Sequence, residues 1–385
     1  MANIDIDQVL SRGIEKIYPS KEGLASLMAK KKIKLYQGFD PSMSSLHLGN
    51  FVGLMKLRQF QKLGHEVIFL VGDFTGMIGD PTDKLATRKK LNREDVLKNA
   101  KSWKEQAGKV IDFEGKNPAH FEFNSKWNDK ITFKDLIEIT SNFTVQQMLE
   151  RDMFQKRLKE NKPIHLHEFL YPVAQAVDCV EMNVDLEIGG SDQIFNMLTG
   201  RALMKAIKNK EKFVLATKLF IDSRGEKVGK TSGNALFLDS TPDLFYAGIM
   251  SFPDVTIKLG FELLTEESLE GLDEKIQKDP MGEKKKLAFE IVKILWGGNI
   301  AKDAENNFSK TFQQKEPAFS NEVKNLQTIS QTIAQLEEIA STSKAKRLIK
   351  DGAVKINDQT INNPTQIIKS GDRIKVGKKI FVKVK

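Results

Sequence analysis

The run Val67-Ile68-Phe69-Leu70-Val71 carries no polar side chain. Such a run fits a strand buried on both faces of a parallel sheet. Ahead of it, Ile33–Asp40 reads as a strand closing in a Gly/Asp turn, which Pro41–Ser45 continues with Ser44 and Ser45 as caps. From His47 a helical spacing sets Phe51, Leu54 and Met55 on one face, and Gly64-His65 stops it. Strand, helix and strand in under fifty residues form a right-handed crossover. The expected fold class is therefore α/β, a doubly wound (Rossmann-like) parallel sheet. At five residues this run is also the longest apolar stretch, far short of the roughly 20 that span a membrane.

The 385 residues make two to three domains at roughly 150 apiece. A single cysteine, Cys179, excludes a disulfide framework and any multi-cysteine metal site, and it fits a reducing compartment. No secretory pattern opens the chain, so a cytoplasmic protein is expected. Lys+Arg 60 against Asp+Glu 51 leaves a net +9. Residues 331–385 hold 12 basic and 5 acidic residues, a net +7, so the remaining 330 carry only +2. A near-neutral body with a basic tail module points to a polyanion, most often nucleic acid.

In a doubly wound sheet, ligands sit at the carboxyl ends of the strands, where Tyr36–Asn50 and Asp73–Asp80 fall. A helix beginning at His47 offers a positive dipole end to a phosphate, with His47 and Asn50 as side-chain donors. Alone, His47 reads as an ordinary histidine and Gly49 as room for packing. Gly229-Lys230-Thr231 invites a P-loop reading, but that motif wants glycine where Arg224 stands, and Gly225 is one residue too close. The segment 223–234 reads instead as a loop with two lysines three apart. By itself it would be a solvated surface loop.

Together, His47-Leu48-Gly49-Asn50 and Lys227-Val228-Gly229-Lys230-Thr231 resemble the paired HIGH and KMSKS signatures of class I aminoacyl-tRNA synthetases. Tyr36–Ser42, Gly76–Pro81, Tyr171–Asp178 and Gly189–Gln193 look like the tyrosyl-tRNA synthetases of bacterial type, in the expected order through nearly the whole chain. The sequence departs from the signatures at Asn50 (histidine in the family), Val228 and Gly229, while both lysines remain.

The resemblance implies a tyrosine–tRNA ligase that activates L-tyrosine with ATP and Mg²⁺ and passes it to tRNA(Tyr). In that reading His47, Asn50, Lys227, Lys230 and Thr231 are catalytic. Gly38, Asp40, Ser42, His47, Gly49, Asn50, Gly190, Asp192, Gln193 and Lys230 hold ATP. Lys84 and Arg88 assist the pyrophosphate, or are plain surface charges. Tyr36 and Asp178 match the pair that reads the phenol, and Asp80, Tyr171 and Gln175 the groups around the α-ammonium. The alternative for Tyr36 and Tyr171 is core packing, but with 4 tyrosines in the chain, two on motif positions favour function. Asp178 on an apolar stretch needs a partner, and Cys179 reads as core filler. His165 and His167 have no further ligands nearby and are read as structural, and no metal site is expected.

Residues 1–238 are thus expected to form the catalytic domain, with a connection peptide at about 125–165 and the lysine loop 223–234. Phe143, Val145, Met148, Leu149 and Met153 give the connection peptide an apolar helical face, either core or the seam of the homodimer the resemblance implies. Residues 239–325 read as a helical domain for the anticodon arm. Thr241-Pro242 starts its first helix, Thr265–Ile276 and Lys284–Trp296 continue it, and Gly297-Gly298 breaks it. Asn325–Ser330 is polar enough for a linker. Residues 330–385 resemble the small RNA-binding fold of the ribosomal small-subunit protein four type, with helices at Ile333–Ile339 and Lys344–Lys350 and a hairpin across Gly377-Lys378-Lys379. Lys344, Lys346, Arg347 and Lys350 are its expected phosphate contacts. Three rivals are a tryptophan-specific relative, disfavoured by Tyr36 and Asp178; a non-catalytic RNA-binding derivative, which needs neither His47 nor the lysines; and a small-molecule nucleotidylyltransferase, poorly matched to the extra domains.

Overall fold

Two-residue alternation along Lys34–Phe39 (β2) and Glu66–Val71 (β3) turns Tyr36, Ile68 and Leu70 to one face of a sheet and Leu35, Val67 and Phe69 to the other. The two strands pair in parallel, with Tyr36 opposite Ile68 and Gly38 opposite Leu70. In the computed structural model, which describes residues 5–80, 91–222, 235–313, 321–326, 328–336, 339–377 and 380–385, they lie at the centre of a six-stranded sheet. Its order is β1-β6-β5-β2-β3-β4, with β1 at Ile14–Tyr18, β4 at His120–Phe123, β5 at Leu186–Gly190 and β6 at Phe213–Thr217. The sheet is mixed rather than parallel throughout: β1 runs antiparallel to β6, Tyr18 facing Val214. The half-buried, charge-bearing Ile14–Tyr18 has the pattern of an edge strand, not of a buried one.

Tyr36, Ile68 and Leu70 are covered by two helices, Leu166–Glu181 and Ile194–Lys208, through Ala176, Val177, Cys179, Leu203 and Met204. On the opposite face Phe69 stacks between Phe39 and Phe121, centroids 4.5 and 5.2 Å away, and meets Trp103 edge-on. Each such buried aromatic contributes on the order of 2 kcal/mol. Cys179 is fully buried in this core, as expected of a filler.

Backbone contacts divide the chain into two units, residues 1–240 with 252–296, and residues 241–251 with 297–385. In the first, Ile257–Leu264 and Leu272–Lys278 are helical and Pro280–Trp296 forms a long helix. The continuous helix expected over 265–276 is broken because buried Thr265 turns its hydroxyl back to the Phe261 carbonyl and accepts from the Glu267 N–H. In the second unit the Thr241 hydroxyl caps Pro242–Met250, and the Gly298–Phe308 helix packs there through Tyr246–Phe308 and Asn307–Asp243.

The second unit also holds a sheet of strands β7 (Asn321–Val323), β8 (Val354–Ile356), β9 (Gln359–Thr360), β10 (Arg373–Val376) and β11 (Ile380–Val384), paired in the order β7-β11-β10-β8-β9, with the expected hairpin as β10 and β11. Residues 325–330 are not a free linker. Asn321–Val323 (β7) joins the sheet beside β11, and the Asn325 amide bonds the Ile368 carbonyl. The first helix lies earlier than expected, at Ile329–Ile333, because Ile329 and Ile333 bury one turn apart against Ile349, Val354 and Ile374. The second, Thr342–Lys350, buries Ala345 and Ile349 and leaves Lys344, Lys346, Arg347 and Lys350 exposed.

Candidate active site

The carboxyl ends of β2, β3, β5 and β6 open into a cleft of about 1650 Å³. It is lined by Tyr36, Gly38, Asp40, Ser42, His47, Gly49, Asn50, Asp80, Tyr171, Gln175, Asp178, Gly190, Asp192 and Gln193. Every described residue read from the sequence as binding tyrosine or ATP is therefore gathered here. Lys84, Arg88, Lys227, Lys230 and Thr231 lie outside the described residues.

At one wall, His47 caps the Leu48–Lys62 helix. Its Nδ1 accepts from the Asn50 backbone N–H at 3.3 Å, while Asn50 Oδ1 accepts from the His47 N–H at 2.9 Å. This reciprocal cap fixes two chemical states. With Nδ1 accepting, a neutral imidazole carries its proton on Nε2. With Oδ1 occupied, Asn50 keeps its NH₂ group as donor. Gly49 makes the arrangement fit, because a Cβ there would sit 2.8 Å from the His47 ring. Packing room for the cap, not helix–helix approach, is the reason for glycine.

The end of β2 carries a second cluster. Asp40 accepts from the Thr75 hydroxyl at 2.6 Å and from the Tyr171 hydroxyl at 2.8 Å. Burial, then the Asp40 charge, raises the Tyr171 phenol well above its ordinary range, so it stays a donor. Asp80 is buried against Arg151 at 2.9 Å and accepts from the Gln193 amide at 2.7 Å. Arg151 comes from the connection peptide and breaks its apolar face into two short helices, Val145–Leu149 and Asp152–Lys159. Met148 is buried and Val145 exposed, so the face is shared between core and surface.

Deepest lies Asp178, 2% exposed, within reach of three N–H donors: Trp127 Nε1 at 2.8 Å, Asn128 Nδ2 at 2.9 Å and Asn124 Nδ2 at 3.2 Å. These are the partners a buried carboxylate requires. Burial nevertheless pushes its carboxyl up to about 8, the three donors opposing. The unfolded carboxyl ionises near 3.8, so between about pH 4 and 8 the native state holds the extra proton. On this group's account stability falls across that window and is flat above it. Thermal unfolding at pH 5 and pH 8 is expected to show a smaller loss in Asp178→Asn than in the parent. An equal loss in both would contradict the assignment. Beside Asp178 the fully buried Tyr36 hydroxyl meets no partner in full hydrogen-bond geometry among the described residues, but Glu187 lies next to it as a loose acceptor, and burial first, then the Glu187 charge and that contact, raise its phenol well above the ordinary range. A buried donor and acceptor left side by side at the end of a cleft suit a hydroxyl ligand.

A family profile described as tRNA synthetases class I (W and Y) matches residues 28–313, and one described as S4 domain matches residues 330–374. A tyrosine–tRNA ligase of Carboxydothermus hydrogenoformans is 39% identical over 98% of this chain and 97% of its own. That of Aquifex aeolicus is 39% identical over the same shares. The chain belongs to the tyrosine–tRNA ligase family. The fold of this family member is also that of a mitochondrial tyrosyl-tRNA synthetase from Coccidioides posadasii (TM-score 0.64, 24% identity, 78% of this chain and 90% of that one). A tyrosyl-tRNA synthetase of Archaeoglobus fulgidus solved with L-tyrosine gives a TM-score of 0.60 at 19% identity, over 78% of this chain and 100% of that one.

Several supporting groups of this ligase's site were not read from its sequence: Thr75, which lines the cleft, and Asn124, Trp127, Asn128, Arg151, Glu187 and Lys212, which do not. Each bonds to a residue that was, except Lys212, which holds Glu187. Glu187 stands between apolar Leu186 and Ile188 on a central strand, which is the same signal that singled out Asp178. His165 and His167 line the mouth of the cleft, their rings stacked 5.8 Å apart.

Proposed function

We propose that the cleft joins L-tyrosine to ATP as tyrosyl-adenylate before the tyrosine passes to the 3′ end of tRNA(Tyr). The chain is an aminoacyl-tRNA ligase that charges tRNA with tyrosine. The observation that supports this cleft as the place is the pairing, in one pocket, of a fully buried Tyr36 hydroxyl that meets no partner in full hydrogen-bond geometry with an Asp178 carboxyl group held by three donors. Tyr36 donates to the substrate phenol oxygen and Asp178 accepts its proton-bearing side. Phenylalanine would leave both unsatisfied, which is a large penalty in a buried site. Asp80, Tyr171 and Gln175 surround the α-ammonium.

The tyrosine carboxylate is already a nucleophile, so no general base is required. Its oxygen bonds to the α-phosphorus as the bond to the bridging oxygen breaks and pyrophosphate leaves with that electron pair. The protein's part is to align two anions and to meet the charge on the phosphate oxygens. Gly38, Asp40, Ser42, Gly49, Gly190, Asp192 and Gln193 seat ATP. The His47 Nε2–H and Asn50 NH₂ face its phosphates, joined from the segment 223–234 by Lys227, Lys230 and Thr231, with Lys84 and Arg88 near the pyrophosphate. Mg²⁺ enters with ATP, carried by phosphate oxygens and water; among the described residues no trio of His, Cys, Asp or Glu is grouped to hold a metal.

No helix among the described residues is long and apolar enough to cross a membrane, and a cytoplasmic enzyme is the reading we adopt. A homodimer is supported by apolar side chains left exposed along the connection peptide and just after it, Phe133 at 78% and Leu166 at 83%. For the division of labour we assign adenylate chemistry to 1–238, the anticodon arm to 239–325, whose helices the backbone contacts share between the two units, and RNA phosphate to 330–385 through Lys344, Lys346, Arg347 and Lys350.

ATP–pyrophosphate exchange tests the reading. Exchange is expected with tyrosine, and tryptophan is expected to support less than about a hundredth of it, given the loss of two hydrogen bonds to the substrate hydroxyl at roughly 1.5 kcal/mol each. Equal exchange with tryptophan would refute the specificity.

A further inference from the structure

A glutamine amide can turn either end to a ligand, and only its oxygen can accept from an ammonium. Gln175, half-buried on the Leu166–Glu181 helix and lining the cleft, has its outcome decided from below. Its amide nitrogen lies 2.8 Å from Glu187 Oε1. An ionised carboxylate has no hydrogen to give, so the amide must present its NH₂ to Glu187 and its oxygen elsewhere.

The other Glu187 oxygen is ion-paired to Lys212, which is 0% exposed. Lys212 in turn donates to the Met197 carbonyl at 3.0 Å. Neither side chain of the pair lines the cleft. Space for the pair is built in as well. A Cβ on Gly200 would come within 2.7 Å of Lys212 Nζ and 3.3 Å of Glu187 Oε2, so the helix above carries glycine there. Strand register sets Glu187 directly beside Tyr36, which leaves its side chain on the face that meets the helix of Gln175.

We propose that the buried Glu187–Lys212 pair is a positioning device that locks the Gln175 amide with its oxygen toward the cleft, creating an acceptor for the ammonium of the amino-acid substrate. This rests on the assignment of Gln175 to that ammonium. An ion pair replaced by well-packed apolar groups often leaves stability unchanged or improves it, so stability alone does not explain burying one here. Orientation of a neighbouring dipole does.

The test uses two inhibitors of tyrosine-dependent exchange that differ only in the ammonium, tyramine and 4-ethylphenol. In the parent enzyme tyramine is expected to bind more tightly. Gln175→Ala should abolish that preference; if it does not, the assignment of Gln175 falls, whatever the pair does. The exchanged variant Glu187→Lys with Lys212→Glu keeps the pair but offers Gln175 only donors, which turns the amide over. It should lose the tyramine preference by about tenfold, the worth of a hydrogen bond to a charge, measured as the ratio of the two inhibitors so that any effect of position 187 on the neighbouring Tyr36, which both inhibitors share, cancels. The neutral variant Glu187→Gln with Lys212→Met permits the native orientation without imposing it and should fall between. If Gln175→Ala abolishes the preference while both double variants keep it whole, the positioning proposal is overturned. Loss of 4-ethylphenol binding in both double variants would also overturn it, because the pair would then be holding the pocket rather than the amide.

Discussion

Asp178→Ala is expected to lower kcat/KM for tyrosine by at least a hundredfold, or about 3 kcal/mol of transition-state stabilisation. The proposed acceptor for the substrate phenol disappears, and the donors on Asn124, Trp127 and Asn128 lose one acceptor each, with Asn124 still bonded to Thr75 and Asn128 to the Asn124 carbonyl. The ratio of tyrosine over phenylalanine should shrink in the same variant, since the discriminating contact is the one removed. KM for ATP should hardly move. Steady-state exchange with each amino acid measures all three. A tyrosine kcat/KM within threefold of the parent would remove Asp178 from the substrate site.

A second large effect is expected where no side chain exists. Gly72 follows β3, and a Cβ there would fall 2.0 Å from Asp40 Oδ1 and 2.3 Å from the Thr75 hydroxyl. Both belong to short side chains with little room to retreat. Gly72→Ala should therefore push Asp40 aside and break its bonds from Thr75 and Tyr171, a loss of about 2–3 kcal/mol for two buried hydrogen bonds. Thermal unfolding should shift down, and KM for tyrosine should rise as Tyr171 loses its anchor. Tyr171→Phe, which removes the same hydroxyl directly, supplies the comparison. A Gly72→Ala enzyme with parental stability and KM would show that the cluster can rearrange at no cost.

Residues that line the cleft were legible in the chain because they sit in short motifs at the ends of predicted strands. Tyr36, Asp40, His47, Asn50 and Asp178 each break a local pattern, as a polar group on an apolar stretch or a donor at a helix start. Residues that hold those groups were not legible. Arg151 reaches Asp80 across 71 positions of sequence, Lys212 reaches Glu187 across 25, and Asn124 reaches Asp178 across 54. Nothing local in a lysine or an asparagine says that it will be buried, because its burial depends on a partner brought by another strand. The apolar face over 143–153 is divided into two helices for the same reason: its periodicity is helical, but Arg151, ion-paired to Asp80, leaves helical conformation. Thr265 and Ile329–Ile333 show that element ends follow hydrogen bonds and packing as much as propensity.

The sequence by itself determined the crossover unit around Val67–Val71, the basic tail module and the motif positions that converge on one cleft, since periodicity, charge and spacing are properties of a linear chain. Tertiary structure alone decided which atoms of those residues are available. It set the His47 proton on Nε2, gave Asn50 its donor face and buried the Tyr36 hydroxyl beside a carboxyl group with three donors. Hydrogen-bond states are settled by neighbours within about 3 Å, and those neighbours come from segments tens of residues away.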